Sequence, residues 1–347
     1  MSLVHGVQPT VPISLVVPTR RPQLLCDHLI PSLRDASPRP SEVIVVDDAA
    51  VPPAAGYLAR FPEVRLVTQP RQGGPARARN LGASIAREEI IMFLDDDVIV
   101  PADLFGRVLT HFEQPEIAAV TGLFSRECFH TNLCSRYKND YMHYICRSAA
   151  PRTSTLLTAV CAVRREAFRK VGGFDENIRA ATVEDVDLGR RLSSDAPAVL
   201  FDADLQVVHL KRYDPVSLLT SHFQRSRDMA RYLLQKGPAG LWREIRGSQE
   251  QLSLPWQFGA GVVLTALALA ALIGGWWMYP LSLRLAGIAM AATLAINLPF
   301  VRFVAAHHGV GVAVFSALAL LAEFVISVAG ALWAMTTLVA RSKPARR

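Results

Sequence analysis

Three consecutive carboxylates, Asp95, Asp96 and Asp97, close the apolar run Ile90-Ile91-Met92-Phe93-Leu94. Five apolar residues fit a buried strand and aspartate disfavours one, so the acids mark the strand's carboxyl end. Open α/β sheets take their ligands at that edge. Hard carboxylate oxygens there suit Mg2+ or Mn2+, which sits between one or two protein carboxylates and the phosphates of a substrate. A solvated acidic turn is the plain alternative for one such run taken alone. A second pair, Asp47-Asp48, follows Glu42-Val43-Ile44-Val45-Val46, and carboxylates ending two neighbouring parallel strands converge on one crevice. Gly73-Gly74-Pro75 then opens a helix carrying Arg77 and Arg79. Glycines allow close backbone approach, and a helix N-terminus with arginines suits phosphate. A metal, a diphosphate and a base or sugar can share this one site.

The elements that must position these groups follow a regular rhythm. Apolar runs at 13–17, 42–46 and 64–68 predict strands. Helical patterns over 23–33 and 76–87 alternate with them, and the last leads into the strand before the aspartates. Strand, helix, strand, helix, strand predicts an α/β, Rossmann-like domain with a mainly parallel central sheet and right-handed crossovers.

Composition divides the chain. Of 347 residues 51% are hydrophobic, high for a protein wholly in water, and the excess is concentrated near the C-terminus. Between Phe258 and Ala340 the charged side chains are Arg284, Arg302 and Glu323 alone. Apolar segments at 259–279, 281–301 and 310–340 each reach the roughly 20 residues that cross a bilayer core. Trp276, Trp277 and Tyr279 fall where an interfacial aromatic belt is expected, and Pro280 separates the first two segments as a hairpin. Glu323 is an intramembrane acid, for which a functional role weighs equally with helix packing or pairing with Arg302. The expected organisation is a catalytic domain at 1–212, an interfacial helix and linker at 213–257, about three transmembrane helices at 258–340 and a basic tail at 341–347.

Net charge is +7. Arg225, Arg227, Arg231, Lys236, Arg243 and Arg246 precede the first apolar segment, and Arg341, Lys343, Arg346 and Arg347 follow the last. The first cluster places the catalytic domain in the cytoplasm of a multi-pass cell-membrane protein. Three crossings then carry the basic tail to the opposite side, against the same rule. An anionic bilayer explains these cations without nucleic acid. The N-terminal residues lack the pattern of a signal peptide. Five cysteines without paired metal-ligand spacing read as free thiols.

Read in order, Val17-Pro18-Thr19-Arg20, Val46-Asp47-Asp48, Gly74 to Asn80, Leu94-Asp95-Asp96-Asp97, Gly172-Gly173-Phe174-Asp175-Glu176 and Glu184-Asp185-Val186-Asp187-Leu188 resemble a family 2 glycosyltransferase of the GT-A fold. The likeness runs from about Ile13 to His209. It implies that Pro18, Thr19, Arg20 and Asp48, with Asp47 nearby, hold the nucleobase, and that Arg79 contacts the nucleotide. It aligns Asp95 and Asp97 as the Asp-x-Asp, the first near ribose and metal and the second on the metal. Asp96 can share the role, because three aspartates leave the register open. His209 resembles a histidine that completes the metal shell in some relatives, and an ordinary strand-end histidine weighs equally.

Sugar transfer with inversion removes a proton from the acceptor hydroxyl and neutralises a departing nucleoside diphosphate. Asp185 occupies the position of the family's base. Glu184 and Asp187 are neighbours in sequence, yet helix positions one and two apart do not face each other. The region 128–147, rich in Tyr, His and Arg, lies where relatives diverge to fit acceptors, and an aromatic cap accounts for it as well. Gln224-Arg225-Ser226-Arg227 is similar to the Gln-x-x-Arg-Trp signature of processive synthases, but Asp228 stands in place of the tryptophan. The expected function is metal-dependent transfer from a nucleotide-diphospho sugar donor to a lipid-linked or cell-envelope glycan acceptor, with membrane lipids as partners. The alternatives are a processive polysaccharide synthase, a polyprenyl-phosphate sugar transferase and, outside enzymes, an inactive sugar-nucleotide sensor or assembly subunit.

Overall fold

The computed structural model describes residues 9–147, 151–178, 183–194, 198–237, 255–274 and 279–342. They form two compact units. The first comprises residues up to 129 together with 149–211, and the second comprises 130–148 and everything from Arg212 onward. The catalytic boundary expected at residue 212 therefore leaves out 130–148, which fold with the second unit. Trp276, Trp277, Arg243, Arg246 and the tail from Lys343 lie outside the described residues.

In the first unit β1 (Thr10–Thr19) leads into α1 (Pro22–Leu24), a π-helical turn at Leu25–Leu29 and α2 (Ile30–Asp35). Next come β2 (Arg39–Asp47), α3 (Ala54–Leu58), β3 (Val64–Thr68), α4 (Pro75–Ile85), β4 (Ile90–Leu94), β5 (Val98–Ile99), α5 (Leu104–His111) and β6 (Ile117–Phe124). Helix α6 (Leu133–Cys146) belongs to the second unit. The first unit resumes with β7 (Arg152–Thr153), β8 (Val160–Arg164), α7 (Arg165–Lys170), α8 (Glu184–Ser193) and β9 (Ala198–His209).

The sheet runs β3-β2-β1-β4-β8-β6-β9-β5, with β7 beside β9. The pairs β3-β2, β2-β1 and β1-β4 are parallel, as the sequence rhythm predicts, and β6-β9 is parallel as well. Strand β8 enters antiparallel between β4 and β6, making the sheet mixed. The all-buried β4 explains its unbroken apolar run, since a central strand is covered on both faces. Helix α4 packs tightly on the sheet at Gly82, where a Cβ would come within 2.3 Å of a Val16 methyl. That close approach sets the distance of the α4 side chains from the ends of β1 and β2.

The second unit holds α6, α9 (Pro215–Gln235), α10 (Trp256–Gly274), α11 (Leu281–Ile296), α12 (Leu298–His308) and α13 (Val310–Ser342). Helix α9 begins with a capping box, in which Asp214 accepts from the Val216 and Ser217 amides and Ser217 Oγ accepts from the Asp214 amide. Helices α10 and α13 are long and apolar enough to cross a membrane. The apolar segment expected as one span at 281–301 is broken at Asn297, where α11 and α12 meet at 52°. Asn297 donates its side-chain amide to the Thr293 carbonyl, and Pro299 in the first turn of α12 cannot continue the α11 ladder. The core of this unit is aromatic, with Tyr137, Tyr141, Phe258, Phe300 and Phe324 in mutual contact. Beneath it Glu323, fully buried, accepts from Tyr137 Oη at 2.8 Å and Lys138 Nζ at 3.1 Å, and lies 3.1 Å from His222 Nδ1. Helix packing thus accounts for this acid. The aromatic stretch 128–147 forms buried packing there, with Tyr137 wholly enclosed.

Candidate functional site

At the carboxyl ends of β1 and β4 the three aspartates part company. Asp96 turns toward β1: Thr19 Oγ1 donates to it at 2.8 Å, and the Arg20 and Arg21 amides donate at 3.3 and 3.2 Å. The Arg21 guanidinium spans Asp96 Oδ1 at 3.0 Å and Asp97 Oδ2 at 2.7 Å. Burial pushes the Asp96 carboxyl up, against the lowering by Arg21. Asp97 is as deeply buried, yet the neighbouring His209 and the Arg21 guanidinium hold it well below the usual carboxylate range. His209 Nε2 stands 3.6 Å from Asp97 Oδ2, and its ring stacks on Phe124 with centroids 4.3 Å apart. The short ladder Val98 to His209 between β5 and β9 creates this pairing, and the Leu210 amide donates to the Asp97 carbonyl.

Asp95 faces the other way. Its Oδ1 accepts from Arg79 Nη2 at 2.8 Å, and Arg79 Nη1 donates to Glu184 Oε1 at 3.0 Å. Arg79 is buried, with Phe174 stacked against the guanidinium at 5.6 Å. Glu184 is buried too, and its pKa is pushed up to about 7 by burial and the adjacent Asp185 carboxylate, with Arg79 opposing. Burial drives the Cys161 thiol far up, and Asp185 and Asp95 push the same way against Arg79. These effects place Asp185 in the same electrostatic cluster as Asp95, Arg79 and Glu184. Asp185 lies in the first turn of α8 and accepts from the Val186 amide at 2.8 Å.

The Gly73-Gly74 loop is tied down by Asp48, whose carboxylate accepts from the Gly73 amide at 2.6 Å and the Gly74 amide at 3.0 Å. Gly74 adopts φ +86°, a conformation that favours glycine, and places Pro75 at the first turn of α4. Asp47 uses both oxygens internally, accepting from Ala50 at 2.7 Å and Ala54 at 2.8 Å. Both acids of the second strand are thus engaged by backbone amides. On α4, Asn80 clamps the Gly172-Gly173-Phe174 turn: its amide nitrogen donates to the Phe174 carbonyl and its oxygen accepts from the Phe174 amide, each at 2.9 Å.

Thr19, Arg79, Asp95, Asp96, Asp97, Glu184 and His209 therefore gather at one edge of the sheet. Pro18 lies in β1 beside them, opposite Val46, while Arg20 supplies its amide and keeps an exposed side chain. The expected ligand set of Asp95, Asp97 and His209 is divided: Asp97 and His209 are together, Asp95 is paired with Arg79, and among the described residues no three such side chains converge as a metal site. Two partners were missed in the sequence. Arg21 is one position beyond the residue singled out, and only the turn after β1 decides which of two adjacent arginines faces the acids. Glu184 is the partner of Arg79, a contact whose one sequence signal is an acid in the first turn of α8.

Residues 14–172 match the profile described as Glycosyl transferase family 2. The chain is 29% identical over 225 residues to a pre-mycofactocin glycosyltransferase of Mycobacterium tuberculosis, covering 62% of this chain and 44% of the relative, so it spans under half of that protein's length. It is 23% identical to the O-antigen chain rhamnosyltransferase RfbN of Salmonella typhimurium, over 62% of this chain and 70% of the relative. In fold it is similar to the mannosyltransferase PcManGT from Pyrobaculum calidifontis, solved in complex with GDP-Man and Mn2+. The TM-score is 0.58 at 17% identity, covering 94% of this chain and 88% of the other. With the strand order, the strand-end acids and the glycine loop in the order the motifs require, these matches identify the first unit as GT-A in fold, and residues 14–172 as a domain of glycosyl transferase family 2.

Proposed function

We propose that the chain is a membrane-bound, inverting glycosyltransferase that moves a sugar from a nucleotide-diphospho sugar to a hydroxyl of a lipid-linked or cell-envelope glycan acceptor. The observation that carries this reading is the division of labour among the acids. Asp96 and Asp97 gather cationic partners at the strand end and Glu184 is sequestered by Arg79; in this reading the base is Asp185, next to Glu184 in the first turn of α8. The relatives named above are glycosyltransferases by name, the structural neighbour is a mannosyltransferase solved with GDP-Man and Mn2+, and in this reading the apolar helices of the second unit supply the membrane attachment.

Asp97 and His209, which stand side by side, are suitable donors for a divalent cation, and Asp95, held by Arg79, would have to turn toward them to join. The half-exposed Arg21 guanidinium on Asp97 is a stand-in positive charge at that place. Mg2+ or Mn2+ bound there would neutralise the leaving diphosphate. The remaining steps belong to the protein. Thr19 and the Arg20 and Arg21 amides fix Asp96, while Asp48 ties down the glycine loop that leads into the α4 N-terminus, an end that suits phosphate. Arg79 keeps Asp95 oriented. Asp185 takes the acceptor hydroxyl's proton as the oxygen attacks the anomeric carbon, and the nucleoside diphosphate departs with the electron pair of the broken bond.

The test is nucleotide release from UDP, GDP and dTDP sugars by the full chain in detergent, with and without Mn2+ and with a membrane lipid extract as acceptor. Metal-dependent release stimulated by the extract supports the reading and identifies the donor. Tight sugar-nucleotide binding without release under any extract favours the inactive sensor and counts against it.

A further inference from the structure

Helix α13 has two faces along its whole length. Ala313, Ser316, Leu320, Glu323, Ser327 and Ala334 recur at helical spacing and are buried. Val314, Leu318, Ala322, Val325, Ala329 and Leu332 face outward, and the outward face carries no charge from Val310 to Thr337. Of its apolar window 44% is buried, against 28% for α10, so α13 is a half-covered helix.

The helices that cover it carry charged residues beside the apolar ones. Near its start stand α12 and α6, with Asp140 Oδ2 3.2 Å from His308 Nε2 and Val304, Val312 and Ala313 in the cluster that holds Cys134 and Tyr137. Along its second half runs α9. Ser327 meets both His222 at 2.9 Å and Ser226 at 3.2 Å, and Thr337 accepts from Arg231 at 3.3 Å, so the two helices lie side by side in the same direction. They pack backbone to backbone: a Cβ on Gly330 would lie 2.9 Å from the Phe223 carbonyl oxygen.

This packing decides how α13 can meet a bilayer. Its 28-residue apolar window is about 42 Å long at 1.5 Å per residue, against roughly 30 Å of hydrocarbon. A crossing by the first part draws Arg136, Lys138 and Asp140 of α6 inward; a crossing by the second part draws Arg225, Arg227, Asp228 and Arg231 of α9. Each such charge costs about 2.5–3.5 kcal/mol at the membrane centre. Lying in the interface, the same helix gives its apolar face to the acyl chains and keeps α6 and α9 toward water.

Helices α10 and α11 are different. They form a hairpin whose mouth is marked by the Asn297 side chain donating to the Gln257 carbonyl at 3.5 Å and Gln257 donating to Tyr144 Oη at 3.2 Å. Their flanks expose Val263, Leu267, Ile273, Leu283 and Ile288. The 19 residues of α10 reach about 28 Å, the hydrocarbon thickness. Arg284, their charged residue, sits one turn from the hairpin tip.

We infer that the second unit is held by one membrane-inserted hairpin, α10–α11, and that α13 lies in the plane of an anionic leaflet, its outward stripe on the acyl chains. The 52° bend at Asn297 turns the chain from the inserted direction to the in-plane one. The hairpin returns the chain to its side of entry, so the basic residues after α13 share a side with the arginines of α9, and the charge conflict of three crossings disappears. This inference rests on the membrane placement proposed above.

The test uses the full chain in lipid nanodiscs, with Cys128 and Cys146 replaced by serine and a spin label on Val314→Cys, Leu318→Cys, Val325→Cys or Leu332→Cys. Depth is read from collisions with oxygen and with a nickel chelate. One common depth near the headgroup boundary is expected. A depth that passes from one surface through the bilayer centre over the roughly 27 Å from 314 to 332 overturns the inference. A green fluorescent protein fused after Arg347 is expected to fluoresce in bacteria and alkaline phosphatase there to be inactive; the reverse pair overturns it. Release of the chain from membranes by alkaline carbonate overturns both the inference and the membrane placement, whereas a graded depth overturns the inference alone.

Discussion

Arg79 and Glu184 are 105 residues apart in the chain and 3.0 Å apart in the fold, both buried, with Asp95 on the other side of the same guanidinium. Removing one member of a buried ion pair leaves an uncompensated charge and costs about 3–5 kcal/mol. Arg79→Met is therefore expected to lower stability by about that amount. Adding Glu184→Gln should recover part of the loss, as a double-mutant cycle by denaturant unfolding would record; strictly additive losses would remove the pairing from its role.

Glu184 also sets a pH dependence. Its folded pKa, raised to about 7, lies above the unfolded value of about 4.3. The folded state therefore binds the proton more tightly, and the stabilisation from protonated Glu184 is fully present below about pH 4.3 and lost as pH rises through 7. Glu184→Gln should lack this decline. Melting temperatures of the two proteins across pH 4.5 to 8 check it, and parallel curves would count against the raised pKa.

Asp97 and His209 stand together beside Arg21. His209→Ala is expected to weaken Mn2+ binding by on the order of 10–100-fold, the range for groups that support a cation site. Asp97→Asn should do at least as much. Titration of Mn2+ in the presence of nucleoside diphosphate measures both, and unchanged affinity in both variants would exclude the pair as ligands.

For Asp185→Asn the expected loss in turnover is about 100–10,000-fold, the usual contribution of a general base, with nucleotide binding retained. Single-turnover kinetics alongside a binding isotherm separate the two effects. Full turnover would remove Asp185 from the chemistry.

In the second unit Lys138 and Glu323 are both buried and 3.1 Å apart. Lys138→Met should destabilise this unit by about 3–5 kcal/mol, and Lys138→Met combined with Glu323→Leu should be milder, because a buried pair replaced by apolar groups of similar size is often neutral. Thermal unfolding in detergent is the readout.

What the sequence disclosed follows from the range of each interaction. The strand over 64–68 coincides with β3, and β1, β2 and β4 fall on the apolar runs, the last two ending in acids, because strand burial is written locally in consecutive residues. Strand β8, inserted antiparallel beside β4, left no such signal. The partnership of Arg79 with Glu184 depends on tertiary closure, so neither residue's neighbours announce it. That Arg21 faces the acids was hidden for a smaller reason: a one-residue rotation in the turn after β1 selects which of two adjacent side chains meets Asp96. The break at Asn297 was hidden because hydropathy is continuous across it.

Helix α6 is encoded between β6 and β7 yet completes the core of the second unit. The two units are therefore interleaved in the gene product and not strung end to end. A fragment stopped near residue 212 would synthesise α6 without its core, presenting Tyr137, Tyr141 and a Lys138 deprived of Glu323 to solvent. Such a fragment is expected to aggregate. A catalytic unit that can be expressed alone requires excision of 130–148, with a short linker joining Phe129 to Ala149, together with removal of everything beyond Lys211.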